Sequence, residues 1–106
     1  IDDGAFGNCS SLTSIILPDS ITSIGDYVFT MCTSLTSIVI PETTTNIGWG
    51  NFFQTPWLEN EQQKNPLVII NGTLITGTTC KGDVIIPDSV TQIVREAFLV
   101  EVILHL

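Results

Sequence analysis

Few residues of this 106-residue chain could act as catalytic residues or metal ligands. The one histidine, His105, is the last residue but one and stands among apolar residues, so a general base or metal ligand there would lack partners. The sequence contains no GxSxG, P-loop, CxxC, HExxH or EF-hand spacing, the patterns that mark common hydrolase, nucleotide and metal sites. We therefore predict no catalytic residue, no metal site and no cofactor, and a protein that is not an enzyme.

The three cysteines are the candidate nucleophiles. Cys9 and Cys32 follow Phe6 and Phe29 at the same distance, which predicts thiols packed in an apolar core. A disulfide between them is the alternative, since neighbouring strands bring such a pair within bonding range. Cys80 lies in the polar segment GTTCKG, where we expect an inert thiol.

Acidic residues outnumber basic ones by eleven to three, which gives a formal net charge of −8. Glu59 and Glu61 resemble a catalytic carboxylate pair, but they more simply favour the start of a short helix. Three further acidic residues each follow a proline directly and are expected at a solvated edge, with a weak cation site or a basic partner as the alternative: Asp19, Glu42 and Asp88. The charge predicts no binding to nucleic acid, and no apolar run is long enough for membrane insertion.

A repeated segment, LTSIIL at 12–17 and LTSIVI at 35–40, holds the best candidates for binding. On an extended strand Ile15 and Leu17 face the core, and the residues between them face outward. We predict a binding strip from the outward residues of three such strands: Ser14, Ile16, Ser37, Val39, Asp83 and Ile85. A protein partner is the predicted ligand, and the alternative is that β-branched residues only favour strand formation here.

Two tryptophans, Trp49 and Trp57, flank an irregular segment. They could stack on a glycan or anchor a protein, or they could fill the core beneath that segment. They form the alternative binding site.

The sequence repeats with a period of 23 residues, and this repeat determines where the candidate residues lie in the fold. Residues 1–17, IDDGAFGNCSSLTSIIL, return at 24–40 as IGDYVFTMCTSLTSIVI. Each unit is too short to bury an apolar face alone, so the units must stack on one another. We predict an α/β-class solenoid dominated by β structure, with short parallel strands and short helical turns.

One unit departs from the pattern. Pro56 is expected to open a short helix, and Asn71-Gly72 between PLVII and TLIT predicts a hairpin with a type I′ turn. The predicted division is a single domain with a partial repeat at 1–11, repeats at 12–34 and 35–57, a variant unit at 58–82, and a repeat and end at 83–106.

The pattern LxxIxLPxxIxxIGxxxFxxC at residues 12–32 resembles the BspA-like, treponemal-type leucine-rich repeats of bacterial and some protist surface proteins. The resemblance implies a leucine-rich-repeat solenoid from a secreted or cell-surface protein. It further implies adhesion to host matrix proteins or another cell surface, with no shared catalytic residues. The alternatives are a carbohydrate-binding module and a purely structural spacer. We expect a segment of a longer array, with signal and anchor outside it and an end, AFLVEVILHL, that is either a cap or an artefact.

Overall fold

A computed structural model of the chain describes residues 1–98, and the predicted end beyond them, including His105, lies outside the described residues. Those residues form one α-helix and seven short strands. The helix α1 is Pro56–Lys64. The strands are β1 Ser14–Ile16, β2 Ser23–Ile24, β3 Ser37–Val39, β4 Asn46–Ile47, β5 Val68–Ile70, β6 Thr73–Thr76 and β7 Gln92–Ile93.

The first two pairs of strands are parallel and join residues that lie 23 apart in the sequence. β1 pairs with β3, so that Ser14 lies opposite Ser37. β2 pairs with β4, with Ile24 opposite Ile47. Proline ends the first pair, because Pro18 and Pro41 follow it closely and have no N–H group for a further ladder bond.

Stacked aromatic rings form the centre of the core. The ring of Phe29 lies 5.5 Å from Phe6 and 5.7 Å from Phe52, and the planes are nearly parallel in both pairs. Leu35 and Cys32 are fully buried beside them, and the Cys32 thiol donates to the Phe6 carbonyl oxygen over 3.1 Å. Equivalent residues of successive repeats therefore pack on one another to build a continuous core.

The helix and the hairpin of the variant unit lie where the sequence predicts them. Pro56 is the first residue of α1, and the Thr55 hydroxyl caps the helix by accepting the Leu58 N–H over 3.1 Å. β5 and β6 are antiparallel, and both turn residues between them, Asn71 and Gly72, have positive φ. β6 then pairs in parallel with β7, so the hairpin joins the row of strands that continues from β4.

The third strand of the predicted strip does not form. Residues 83–86 are exposed and lie outside any strand. Their sequence positions correspond to those of β3, shifted by twice the 23-residue period. The residues shifted by one period, 60–62, belong to α1. A strand needs a neighbouring backbone for its ladder, and the residues one step of 23 before this segment are helical, so they do not provide one. The prediction for Asp83 and Ile85 as strand residues is therefore wrong.

Candidate binding surfaces

The strand strip, defined here as Ser14, Ile16, Ser37 and Val39, lies on the paired strands β1 and β3. The parallel register places Ile16 beside Val39 and Ser14 beside Ser37. Ile16 is 76% exposed and Val39 51% exposed, although both are large apolar side chains. Both serines are exposed as well. The two strands thus present an apolar pair with a polar margin to solvent.

Ile85 does not extend this strip. It is 86% exposed, and neither it nor Asp83 belongs to a strand that pairs with β3. The structure brings four of the six predicted strip residues together and leaves these two apart.

Trp57 belongs to the edge of the core. Its ring lies 4.7 Å from that of Phe52, and its side chain packs against the buried cluster. Its backbone N–H donates to the Leu35 carbonyl oxygen over 2.9 Å, which ties the first turn of α1 to the backbone just before β3. This side chain fills space beneath the variant unit, as the core-filling alternative requires.

Trp49 has a different environment, at the surface between two other side chains. The Tyr27 ring lies 4.7 Å away at a tilt of 60°, and the Arg95 guanidinium lies 4.8 Å from the Trp49 ring centre. The Trp49 N–H donates to the Asp26 carboxylate over 3.0 Å, and the Asp26 N–H donates in turn to Asp3 over 2.7 Å. Repeat-to-repeat hydrogen bonds therefore fix the backbone that carries this tryptophan.

A cleft of about 650 Å³ opens beside Trp49. The helix α1 forms one wall, the end of β6 forms another, and the segment after β7 forms the third. We call it the Trp49 cleft; the residues that line it are Tyr27, Trp49, Gly50, Asn51, Phe53, Gln54, Thr55, Leu58, Glu59, Gln62, Ile75, Thr76, Thr78, Thr79, Val94, Arg95 and Glu96.

Comparison with known proteins places these features in a family. A family model described as a BspA type leucine rich repeat region, in six copies, matches residues 1–103. The chain belongs to the BspA-type leucine-rich-repeat family. No curated protein and no solved structure matches the chain. Proteins of this family are commonly surface or adhesion repeat modules, and they are generally non-catalytic.

Asn51 is a structural residue of this BspA-type repeat that the sequence analysis missed. Its side chain is 4% exposed. Its Oδ1 accepts from the Val28 and Phe29 N–H groups at 2.8 and 3.3 Å. Its Nδ2 donates to the carbonyl oxygens of Gly25 and Gly48 at 2.7 and 3.0 Å. One amide thus satisfies four backbone groups in two consecutive repeats.

A signal for Asn51 was present in the sequence. At steps of 23 residues its position is otherwise occupied by apolar side chains: Ala5, Val28, Leu74 and Ala97. A polar residue at an apolar position of a repeat indicates a buried hydrogen-bonding role, because burial without partners would be costly.

Cys9, Cys32 and Cys80 are free thiols, and burial raises the pKa of the Cys32 thiol, which disfavours the nucleophilic thiolate. Within residues 1–98, no group of three or more His, Cys, Asp or Glu side chains is placed to hold a metal ion. In the same part of the chain, no helix is long and apolar enough to cross a membrane.

Proposed function

We propose that this BspA-type repeat is a non-catalytic binding module of a secreted or cell-surface protein, and that it binds a protein partner through the strand strip. The observation that carries the proposal is the exposure of Ile16 and Val39, which lie side by side in the register of β1 and β3. Large apolar side chains held together on a rigid strand pair are typical of an interaction surface.

The apolar pair provides enough free energy to matter for binding. Burying a fully exposed Val or Ile side chain contributes roughly 1.5–3 kcal/mol. Ile16 and Val39 are 76% and 51% exposed, so the two together contribute about 2–4 kcal/mol before the costs of association. That is a factor of at least about 25 in affinity, since about 1.4 kcal/mol corresponds to tenfold. The serines beside them provide hydrogen-bonding groups for the polar rim of an interface.

The strip on β1 and β3 is short compared with a standard interface of about 800 Å² per partner. We propose that the chain is part of a solenoid of 23-residue repeats, with a partial repeat at 1–11, repeats at 12–34 and 35–57, a variant unit at 58–82 and a repeat and end at 83–106. We further propose that it belongs to a longer array whose other units enlarge the surface. The parallel pairing of residues 23 apart supports this architecture.

A pair of charge-introducing variants tests the strand strip. The double variant Ile16→Lys with Val39→Lys should remain folded, because both side chains are largely exposed. We expect it to lose binding to immobilised extracellular-matrix proteins and to whole mammalian cells by at least tenfold. The matched control is Thr22→Lys with Thr45→Lys, which adds the same charge at two exposed positions outside the strip and should bind like the wild type.

Two results would contradict the proposal. A folded Ile16→Lys, Val39→Lys variant that binds as tightly as the wild type would exclude the strand strip as the binding surface. A wild-type protein that binds none of the matrix proteins and none of the cells would favour a purely structural spacer.

A further inference from the structure

We propose that the Trp49 cleft is a second binding site, separate from the strand strip, and that its ligand is a neutral saccharide. The volume of about 650 Å³ lies in the range of small-molecule sites and accommodates a short oligosaccharide. The proposal does not depend on the strand strip, which lies on other residues.

Two aromatic side chains at the cleft remain open to a ligand. Tyr27 is 41% exposed and Phe53 is 52% exposed, and both line the cleft. The C–H faces of a sugar ring pack well on such aromatic faces, while its hydroxyl groups stay available for hydrogen bonds.

The backbone at Tyr27 has a left-handed conformation that recurs at the equivalent positions of the chain. Tyr27 has φ +57°, and the equivalent residues 23 before and after it, Gly4 and Gly50, have φ +68° and +72°. This left-handed conformation favours glycine and costs other residues free energy. A Cβ on Gly50 would lie 2.5 Å from Tyr27 Cδ1, so the glycine also makes room for the ring. Glu96, a further equivalent position, has φ +63°, so the conformation belongs to the turn, and the aromatic ring of Tyr27 is what distinguishes this position at the cleft.

The polar groups of the cleft fall into two sets. Those in the deep wall bond within the protein: Thr55 bonds to Phe52 and Leu58, and Thr76 bonds to Ala97. The side chains of Gln62 and Arg95, by contrast, form no hydrogen bond to another residue within 1–98. The Trp49 ring supports the Arg95 guanidinium, so its N–H groups are held ready for a ligand oxygen.

Charge favours a neutral ligand. Glu59 and Glu96 line the same cleft as Arg95, so the cleft has no excess positive charge, and the whole protein has a formal charge of −8. An anionic ligand would be repelled by this field. Arg95 already occupies the face of Trp49 and places a positive charge in the cleft, which disfavours a cation at that ring. A neutral molecule rich in hydroxyl groups is not repelled by the negative charge and does not compete with Arg95 for the face of Trp49.

An array of neutral and acidic oligosaccharides, probed with the labelled wild-type protein, gives the first test. We expect signals from neutral saccharides. Tyr27→Gly and Arg95→Gln should each weaken those signals at least tenfold. Tyr27→Gly installs the residue that Gly4 and Gly50 already provide at this position, but it also removes the ring that packs on Trp49, so its melting temperature is measured to establish that the variant is folded.

The matched control is Met31→Gly. Met31 is also exposed and has φ +57°, but it does not line the cleft, so this variant should bind like the wild type. The Ile16→Lys, Val39→Lys variant should keep saccharide binding too, which separates this proposal from the strand strip. The affinity for each array hit is then measured by tryptophan fluorescence in a Trp57→Phe background, which leaves Trp49 as the reporter.

Three results would overturn the proposal. The first is an array with no saccharide signal, and the second is a signal from acidic saccharides alone. The third is saccharide binding by the folded Tyr27→Gly variant that is as tight as that of the wild type.

Discussion

Replacing Asn51 with alanine should destabilise the protein strongly, because this one side chain satisfies backbone groups in two repeats. The change would leave the N–H groups of Val28 and Phe29 without their acceptor, and both residues are fully buried. The carbonyl oxygens of Gly25 and Gly48 would also lose a donor, but these glycines are partly exposed and water can replace it.

The expected magnitude follows from these contacts. A buried polar group left without a partner costs about 1–3 kcal/mol, so the two N–H groups together cost about 2–6 kcal/mol. A central value of about 4 kcal/mol is a large share of the roughly 5–15 kcal/mol that stabilises a small domain. It corresponds to a fall of at least about 15 °C in melting temperature.

Urea unfolding followed by tryptophan fluorescence measures this free energy. The matched control is Asn46→Ala, which removes an exposed hydrogen bond to Gln92 and should cost less than about 0.5 kcal/mol. Asn51→Asp places a carboxylate against the Gly25 and Gly48 carbonyl oxygens, so relative to the wild type it should be less destabilised at pH 4 than at pH 7. An Asn51→Ala variant within about 1 kcal/mol of the wild type would refute the reasoning.

Three further substitutions and one labelling experiment test the packing. Phe29→Ala should cost about 3–5 kcal/mol in urea unfolding, because the ring is fully buried between two stacked neighbours; an unchanged melting temperature would contradict its place in the core. Thr55→Ala should cost about 1–2 kcal/mol and lower the helix signal in circular dichroism, since it removes the cap of α1. Gly48→Ala should destabilise by about 1–3 kcal/mol or more, because the new Cβ would lie 2.6 Å from the Gly25 carbonyl oxygen; a neutral result in thermal melting would show that the repeats are not so closely stacked. Cys32 should react with iodoacetamide much more slowly than Cys80 in the folded protein, because burial raises the pKa of the Cys32 thiol, and equal rates by mass spectrometry would show that Cys32 is accessible.

Features of the fold that depend on local sequence were predictable. Proline at the first position of a helix and Asn-Gly in a hairpin turn act through backbone conformations of the residues themselves, so α1 and the β5–β6 hairpin could be placed before the structure was known. The alternation of LTSIIL likewise predicted an exposed Ile16 and a buried Leu17.

Features that depend on which backbones become neighbours were not predictable to the same degree. Residues 83–86 have the right spacing and composition for a strand, yet they lack a partner because α1 interrupts the row beside β3. The contact between Trp49 and Arg95 joins residues 46 apart across that same interruption, so no local pattern indicates it. The Trp49 cleft arises from the variant unit as a whole, and its shape required the three-dimensional structure.

The most direct test of the proposed binding module is to map the footprint of a partner on the protein. Hydrogen exchange, measured with and without a matrix protein that binds, reports which backbone amides the partner protects. We predict protection confined to residues 14–17 and 37–40, around β1 and β3. Protection of α1 and the Trp49 cleft, with no change at β1 and β3, would contradict the claim that the strand strip binds the protein partner.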